Sequence, residues 1–208
     1  MRNGTISNED RAKLVEKAGE LANAPLYVDD SPTRTVSEIA SAARRIQRTH
    51  NGHLGLIVID YLQLIEPDNA RDPRQEQVAR IARRLKGLAR DLKVPVLCLA
   101  QLNRQAEGSA DHRPKLSHLR ESGAIEQDAD VVMFIHREEY YRRGEDAEQF
   151  AGLAEIIIAK QRNGPVGEIE VLWQKDFTRF VDKAPERLQA FDDFNSGAES
   201  GVAGGDPF

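Results

Sequence analysis

Four polar side chains stand where apolar runs of the sequence end. Asp60 follows the run GLIVI, Gln101 follows VPVLCLA, and Lys160 and Arg162 close the run EIIIAKQR. A carboxylate suits Mg²⁺, because this hard cation prefers oxygen ligands, and an amide can hydrogen-bond a phosphate or a water. Residues two apart on a strand share a face, so Lys160 and Arg162 would point the same way. Two cations on one face at the end of an apolar strand usually mean a solvated sheet edge.

Helical patterns separate the apolar runs. Ser7 with Asp10 is predicted to cap a first helix, and Thr35 with Glu38 a second one that stops at Asn51–Gly52. The third helix has an apolar stripe at spacings of three and four residues, formed by Val78, Ile81, Leu85, Leu88 and Leu92. Strands are predicted at 24–30, 55–65 and 94–102, and each is apolar on both faces. This alternation predicts an α/β fold with a mostly parallel sheet flanked by helices.

The same fold class gives the polar residues a common place. Ligands of open α/β sheets bind beyond the carboxyl ends of the strands. If the strands before Asp60 and Gln101 are neighbours, both side chains project into one crevice. The alternative is an aspartate that caps the next turn and a glutamine on a loop.

The pattern changes after residue 102. A stretch of about twenty residues without periodicity predicts a functional or mobile loop. Strands are expected at 130–137 and 155–162, and a β-hairpin closes the fold near residue 182. Residues 185–208 are rich in acid and glycine and are expected to be disordered. We therefore predict two parts, a folded domain at 1–184 and an acidic tail at 185–208.

Composition excludes several classes. The 208 residues are 40% hydrophobic and 30% charged, as in ordinary globular proteins. No apolar run approaches the roughly 20 residues of a membrane span, so we expect no membrane partner. The one cysteine, Cys98, lies in an apolar run and is expected to be a reduced thiol, which favours a cytoplasmic location. A net charge of −5 argues against wholesale coating of nucleic acid but allows a local basic surface.

Four phrases carry a family resemblance. GLIVIDYLQLI, LAQLNR, LRESGAIEQDAD and IIIAKQRNGPVG, in this order, resemble the C-terminal motor domain of bacterial DnaB-type replicative helicases, from about Met1 to Asp182. The resemblance implies a RecA-like fold, a hexameric ring, ATP and Mg²⁺ as cofactors, and 5′-to-3′ movement on single-stranded DNA. Primase and a helicase loader are the partners that it implies.

The resemblance also implies roles for individual residues. Asp60 matches the acid that helps to hold Mg²⁺, and Gln101 the glutamine that couples the γ-phosphate to the DNA loops. Lys160 and Arg162 match the cations that reach a neighbouring subunit's γ-phosphate. Within LRESG, the candidates for DNA contact are Arg120, Glu121 and Gly123, since an arginine and backbone N–H groups suit phosphate oxygens. From the residues alone, RESG is better read as a helix start.

One expected motif is absent from the sequence. The family carries a G-x-x-x-x-G-K-[ST] loop that holds nucleotide phosphates, and these 208 residues contain none. The sequence resembles a motor domain without its phosphate-loop strand, its first helix and its catalytic glutamate. We therefore expect no activity from this chain alone, together with unpaired sheet edges and an exposed apolar surface. Met1 could be an engineered boundary, the start of the second half of a split gene, or an internal methionine. The sequence does not choose among these three.

Two other readings remain open at this point. The chain could be a non-catalytic subunit that binds DNA and supplies Lys160 and Arg162 to a neighbour's ATP site. It could also be a RecA-like recombinase or clock-type ATPase, but KQRNGP after LRESG argues against that class.

Overall fold

A computed structural model describes residues 6–102 and 112–183, apart from the side chains of residues 120–122 and 145. The chain divides into two compact units, Met1–Thr33 and Arg34–Phe208. In the described ranges, no helix combines the length and the apolar character that crossing a membrane requires. The predicted tail at 185–208 lies outside the described residues, so the boundary at residue 184 stays a prediction.

The described part of the first unit contains one helix, α1 (Asn8–Ala22). Ser7 caps it as predicted, since the Ser7 Oγ accepts the N–H of Asp10 at 3.0 Å. The prediction of a strand at 24–30 is wrong. These residues form no strand, and Leu26, Tyr27 and Val28 are exposed. A strand needs a partner edge for its backbone groups, and none of the described residues of this unit supplies one.

The second unit opens with β1 (Arg34–Thr35) and α2 (Val36–Thr49). Thr35 and Glu38 form the predicted capping box: Glu38 accepts the Thr35 N–H at 2.8 Å, and Thr35 Oγ1 accepts the Glu38 N–H at 3.3 Å. Asn51 and Gly52 follow the helix with φ of 53° and 86°, a conformation that glycine adopts without strain. The predicted start and stop of this helix are confirmed.

The long helix α3 (Arg74–Leu92) is the main packing element. All five residues of its predicted apolar stripe are buried. They form one core with Val36, Ala40 and Ala43 of α2 and with Leu62, Ile65 and Val94. Lys93 ends α3 in the left-handed conformation.

The run predicted as one strand at 55–65 breaks in two. It forms β2 (Ile57–Ile59), a 3₁₀ turn (Leu62–Leu64) and β3 (Ile65–Glu66). The turn arises because Leu62 donates its N–H to the Leu99 carbonyl at 2.8 Å and buries its side chain in the α3 core. β3 pairs in parallel with β1, and β2 pairs in parallel with β4 (Val96–Cys98).

The β2–β4 sheet has one covered face and one exposed face. Ile57, Ile59 and Cys98 pack against the core. On the opposite face Val58, Leu97 and Leu99 are 57%, 43% and 44% exposed. Because its strands are apolar on both faces, the sheet was expected to carry helices on both faces. Among the described residues, α2 and α3 cover only one face of the sheet.

A second sheet follows two short helical segments. A 3₁₀ segment (Leu116–Ser122) leads into α4 (Gly123–Asp128). The sheet then contains β5 (Val131–His136), β6 (Leu153–Gln161), β7 (Gly167–Gln174) and β8 (Arg179–Asp182), with a 3₁₀ turn (Glu138–Tyr140) and α5 (Glu145–Gln149) between β5 and β6.

All pairs of the second sheet are antiparallel, in the order β5-β6-β7-β8. The predicted C-terminal hairpin is confirmed, and the antiparallel part extends further than predicted, to β5. Its inner face packs Leu119, Val132 and Phe134 into a separate core. The elements as a whole confirm the α/β class.

Truncating a buried side chain of the apolar stripe of α3 should lower the stability of the fold strongly. Leu85 is 5% exposed, so Leu85→Ala should lower the free energy of unfolding by about 2–5 kcal/mol. Leu97→Ala is the matched control: Leu97 is 43% exposed, and its loss should be clearly smaller. Urea unfolding followed by circular dichroism measures both, and equal losses would contradict this account of the core.

Cys98 gives a second prediction. Burial raises the pKa of its thiol from an ordinary 9.0 to about 11, which favours the protonated form in the folded chain. At pH 8 the reactive thiolate should be about a hundredfold scarcer than in the unfolded chain. A disulfide reagent should therefore modify Cys98 far more slowly in buffer than in guanidinium chloride. Equal rates would mean that the thiol is freely solvated.

Candidate functional site

Asp60 and Gln101 lie beyond the carboxyl ends of neighbouring parallel strands. The register pairs Ile59 with Cys98, the last residues of β2 and β4. The Leu99 N–H continues the ladder by donating to the Ile59 carbonyl at 2.9 Å. The adjacency assumed for the two strands is therefore confirmed, and both polar side chains are exposed at this edge.

Gln63 joins the two strand ends. Its side-chain Nε2 donates to the Gln101 carbonyl at 3.1 Å, and its Oε1 accepts the Gln101 N–H at 3.3 Å. Arg74, at the start of α3, donates to the Gln63 carbonyl at 3.2 Å. Besides the backbone bonds of Leu99, this amide side chain therefore holds Gln101 close to β2, and Arg74 links Gln63 to α3.

The donor set at this edge fits Mg²⁺ in one particular way. No group of three or more His, Cys, Asp or Glu side chains within 6–102 and 112–183 is placed to hold a metal ion. Mg²⁺ is commonly held by one or two carboxylates together with water and substrate phosphates. A single exposed Asp60 matches that mode and does not match an all-protein metal site.

Lys160 and Arg162 meet at the carboxyl end of α4. Lys160 Nζ donates to the carbonyls of Glu126, Gln127 and Ala129, with distances of 3.2 Å to Gln127 and 2.8 Å to Ala129. Arg162 Nη2 also donates to the Gln127 carbonyl, at 3.3 Å. The two side chains therefore lie on one side of β6, as their spacing predicted. Cations are favourable at this end of a helix, where carbonyls lack helical partners.

Asp130 lies between α4 and β5, close to the cations Lys86, Lys160 and Arg162. It forms ion pairs with Lys86 of α3 and with Arg162, whose Nε lies 3.3 Å from Asp130 Oδ1. The Arg162 N–H donates to the Asp130 carbonyl at 2.8 Å. The hydrogen bond from Lys86, followed by the charges of Lys86, Arg162 and Lys160, lowers the pKa of the Asp130 carboxyl. Asp130 is thus held ionised beside the two candidate residues.

The LRESG segment spans the junction of the 3₁₀ segment and α4. Gly123 is the first residue of α4, in agreement with a helix start, and its φ is −51°. A Cβ at Gly123 would meet no atom within 4 Å. Neither backbone conformation nor crowding requires glycine here. The side chains of Arg120 and Glu121 lie outside the described residues, so their roles stay predictions.

The structure places the candidate residues in two groups. Asp60 and Gln101 follow β2 and β4, whereas Lys160, on β6, and Arg162, directly after β6, lie beside α4. Sequence reasoning missed Gln63 and Asp130 as supports of these groups. Gln63 left a signal, since it is a polar residue inside an apolar run. Asp130 left a weaker one, at the end of an acidic stretch before a strand.

Comparison with known proteins gives a consistent result. The model of the DnaB-like helicase C-terminal domain family matches residues 1–182. The replicative DNA helicase DnaB of Geobacillus stearothermophilus is 47% identical over 183 residues, which are 88% of this chain and 39% of that protein. The DnaB of Pasteurella multocida is 48% identical, over 88% of this chain and 38% of that protein. The chain thus spans about two fifths of the length of these relatives.

Solved structures give the same fold. One of them, described as an ATPase domain, has a TM-score of 0.81 at 41% identity, covering 88% of this chain and 63% of that one. A DnaB-like replicative helicase, solved in a study of its interactions with primase, has a TM-score of 0.80 at 40% identity, covering 88% of this chain and 43% of that one. These similarities confirm the RecA-like fold class.

Gln63 predicts a local effect on Gln101. Gln63→Met removes both hydrogen bonds to the Gln101 backbone at nearly constant side-chain length, so the Gln101 amide should exchange with deuterium faster. The free energy of unfolding should fall by only about 1 kcal/mol, because the side chain is partly solvated. Gln75→Met, at an exposed position in the first turn of α3, is the matched control. Unchanged exchange in Gln63→Met would show that the clamp does not hold Gln101.

Proposed function

This chain belongs to the DnaB-like helicase C-terminal domain family, and we propose that it is the C-terminal portion of a replicative DNA helicase motor. The complete motor would hydrolyse ATP and move 5′ to 3′ on single-stranded DNA as a hexameric ring. The observation that carries this proposal is the sheet edge where Asp60 and Gln101 follow two paired parallel strands. Gln63 links the two strand ends by hydrogen bonds to the Gln101 backbone. A polar edge of this kind is where RecA-like sheets bind nucleotide.

At this edge, Asp60 would hold Mg²⁺ through one carboxylate and water. The metal would neutralise charge on the nucleotide phosphates. Gln101 would hydrogen-bond the γ-phosphate or the attacking water and sense its departure. Gln63 fixes the Gln101 backbone at the end of β4. A movement of the Gln101 side chain when the γ-phosphate departs would therefore be transmitted to the residues that follow Gln101.

Arg162 would act on the nucleotide bound by the adjacent subunit, together with Lys160. Its side chain is 52% exposed, so it can reach outward from β6. A guanidinium that neutralises charge developing in phosphoryl transfer is worth about 10³-fold or more in rate. This role needs an oligomer, because the cation and the phosphate come from different subunits.

The segment 120–123 would bind the DNA backbone. Arg120 would pair with phosphate, Glu121 would orient the arginine, and backbone N–H groups near Gly123 would donate to phosphate oxygens. The open space around Gly123 supports this role, since the fold itself does not require glycine there. Contacts of this kind do not depend on base sequence.

Partners follow from the relatives. One structural neighbour is described with primase, so we propose primase as a partner of the complete protein, with a helicase loader as a further one. The proposed location of the protein is the bacterial cytoplasm, where the chromosomal DNA lies.

The decisive prediction concerns Arg162 in a complete motor. The 183 residues that match would replace the corresponding segment of the Geobacillus stearothermophilus relative. The hybrid should unwind a fork with a 5′ tail in the presence of ATP. Arg162→Ala should lower its kcat for DNA-stimulated ATP hydrolysis by about 10³-fold, because the transition-state charge loses its partner. Steady-state hydrolysis with and without single-stranded DNA measures the effect.

Two further measurements separate the alternatives. Arg48→Ala, an exposed position in the last turn of α2, removes the same charge and should leave kcat unchanged. The 208 residues by themselves should bind DNA without turning over ATP. Turnover by the isolated chain would contradict the expectation of inactivity. A hybrid that binds DNA but never hydrolyses ATP would favour the non-catalytic subunit.

A further inference from the structure

One guanidinium attaches the chain before the proposed DNA-binding segment to the second sheet. Arg113 Nη1 donates to the Glu155 carboxylate on β6 at 2.7 Å, and Arg113 Nη2 lies 2.7 Å from the Glu168 carboxylate on β7. Arginine presents its N–H donors as a planar fork, so one side chain can bind two carboxylates at the same time. Arg113 thereby links its own segment to two neighbouring strands.

The two carboxylates lie on the face of the sheet that carries the second core. Glu155 and Ile157 are two residues apart on β6, so they point to the same face, and the register pairs Ile157 with Glu168 of β7. Ile157 packs partly buried against the second core. Arg113 is therefore bound on the inner face of the sheet, the face against which Leu119 is buried.

The stretch 114–119 joins Arg113 to the DNA-binding segment 120–123. Within this stretch Leu116 and Leu119 pack in the second core, and Leu119 directly precedes the segment. Apolar contacts hold the stretch against the sheet, but the hydrophobic effect is non-directional. The ion pairs of Arg113 add direction, because charge-assisted hydrogen bonds have a defined geometry.

The surroundings of Arg113 favour positioning over a direct contact with DNA. Two carboxylates face one guanidinium, so the cluster as a whole is negative and repels phosphate. The Arg113 side chain is 32% exposed, and ion pairs that are this accessible to water contribute little to global stability. The cluster therefore suits neither a phosphate site nor a main support of the fold.

We infer that Arg113, held by Glu155 and Glu168, is a positioning residue that sets where the segment 120–123 is presented to single-stranded DNA. This inference rests on the proposed function, because it requires that 120–123 bind the DNA backbone. Full affinity for DNA then needs Arg113 and both carboxylates, although none of the three touches DNA. The same ion pairs attach the DNA-binding segment to β6, the strand that carries Lys160.

The test uses the full 208-residue chain and measures the Kd for a fluorescein-labelled oligothymidylate by anisotropy. Arg113→Gln should raise this Kd about tenfold, the equivalent of one charge-assisted hydrogen bond. The double variant Glu155→Gln with Glu168→Gln should raise it by a similar factor. Plain electrostatics predicts the opposite for the double variant, because the loss of two negative charges should strengthen binding to a polyanion. Combining all three substitutions should weaken binding no further than Arg113→Gln alone, since the three side chains act as one unit.

Glu170→Gln is the matched control for charge. Glu170 lies two residues from Glu168 on the same face of β7, and in the described structure it accepts from Lys183 Nζ at 2.6 Å. Its loss should not raise the Kd. Amide hydrogen–deuterium exchange across 114–119 should become faster in Arg113→Gln and in the double variant, whereas exchange across α3 should stay unchanged and report an intact fold.

Faster exchange with an unchanged Kd would overturn the inference, because Arg113 would then be structural only. Weaker binding by Arg113→Gln would also overturn it if the double variant bound DNA as well as or better than the wild type, because Arg113 would then act on DNA through its charge. Weaker binding without faster exchange would have the same meaning. A wild-type chain that fails to bind the oligothymidylate would instead overturn the proposed DNA contact of 120–123, and this inference with it.

Discussion

The burial of one helix stripe underlies the arrangement of both polar groups. The apolar face of α3 packs against α2 and the strands, which fixes the helix relative to the β2–β4 sheet. From that fixed position α3 presents Arg74 to the Gln63 carbonyl and Lys86 to Asp130. Ile125 of α4 packs on the same core. The edge with Asp60 and Gln101 and the cations Lys160 and Arg162 are therefore both attached to α3, although they belong to different sheets.

The polar residues on these two sheets are held mainly by bonds between side chains and backbone. Gln63 clamps the backbone of Gln101, and Lys160 fills the carbonyls at the end of α4. Such bonds fix the course of the main chain and leave neighbouring side chains at the surface, among them Asp60, Gln101 and Arg162. These side chains are thus accessible to a ligand while the segments that carry them stay in register.

Sequence patterns predicted the helices better than the strands. Capping at Ser7 and Thr35 and the stripe of α3 are local signals, because a cap or an amphipathic face is written within a few residues. A strand depends on a partner edge that is often distant in sequence. For this reason the apolar segment 24–30 was wrongly predicted as a strand, and β1 was missed, since Arg34–Thr35 is too short for a pattern.

The polar residues divide in the same way. Asp60, Gln101, Lys160 and Arg162 were identified from strand ends and spacing, and the adjacency of β2 and β4 is confirmed. Gln63 and Asp130 act on groups that are distant from them in the chain, at Gln101 and at Arg162. No spacing rule reaches that far, so three-dimensional packing had to reveal them.

The length of α4 has a mechanical consequence. From Gly123 to Asp128 the helix rises only about 7.5 Å, so we treat it as one rigid piece. Ile125, which packs partly buried against the first core, would act as its pivot. The arm toward Gly123 is about 3 Å long and the arm toward Asp128 about 4.5 Å, given roughly 1.5 Å per residue. A tilt about Ile125 would therefore displace the carbonyl end further than the end at Gly123, and in the opposite direction.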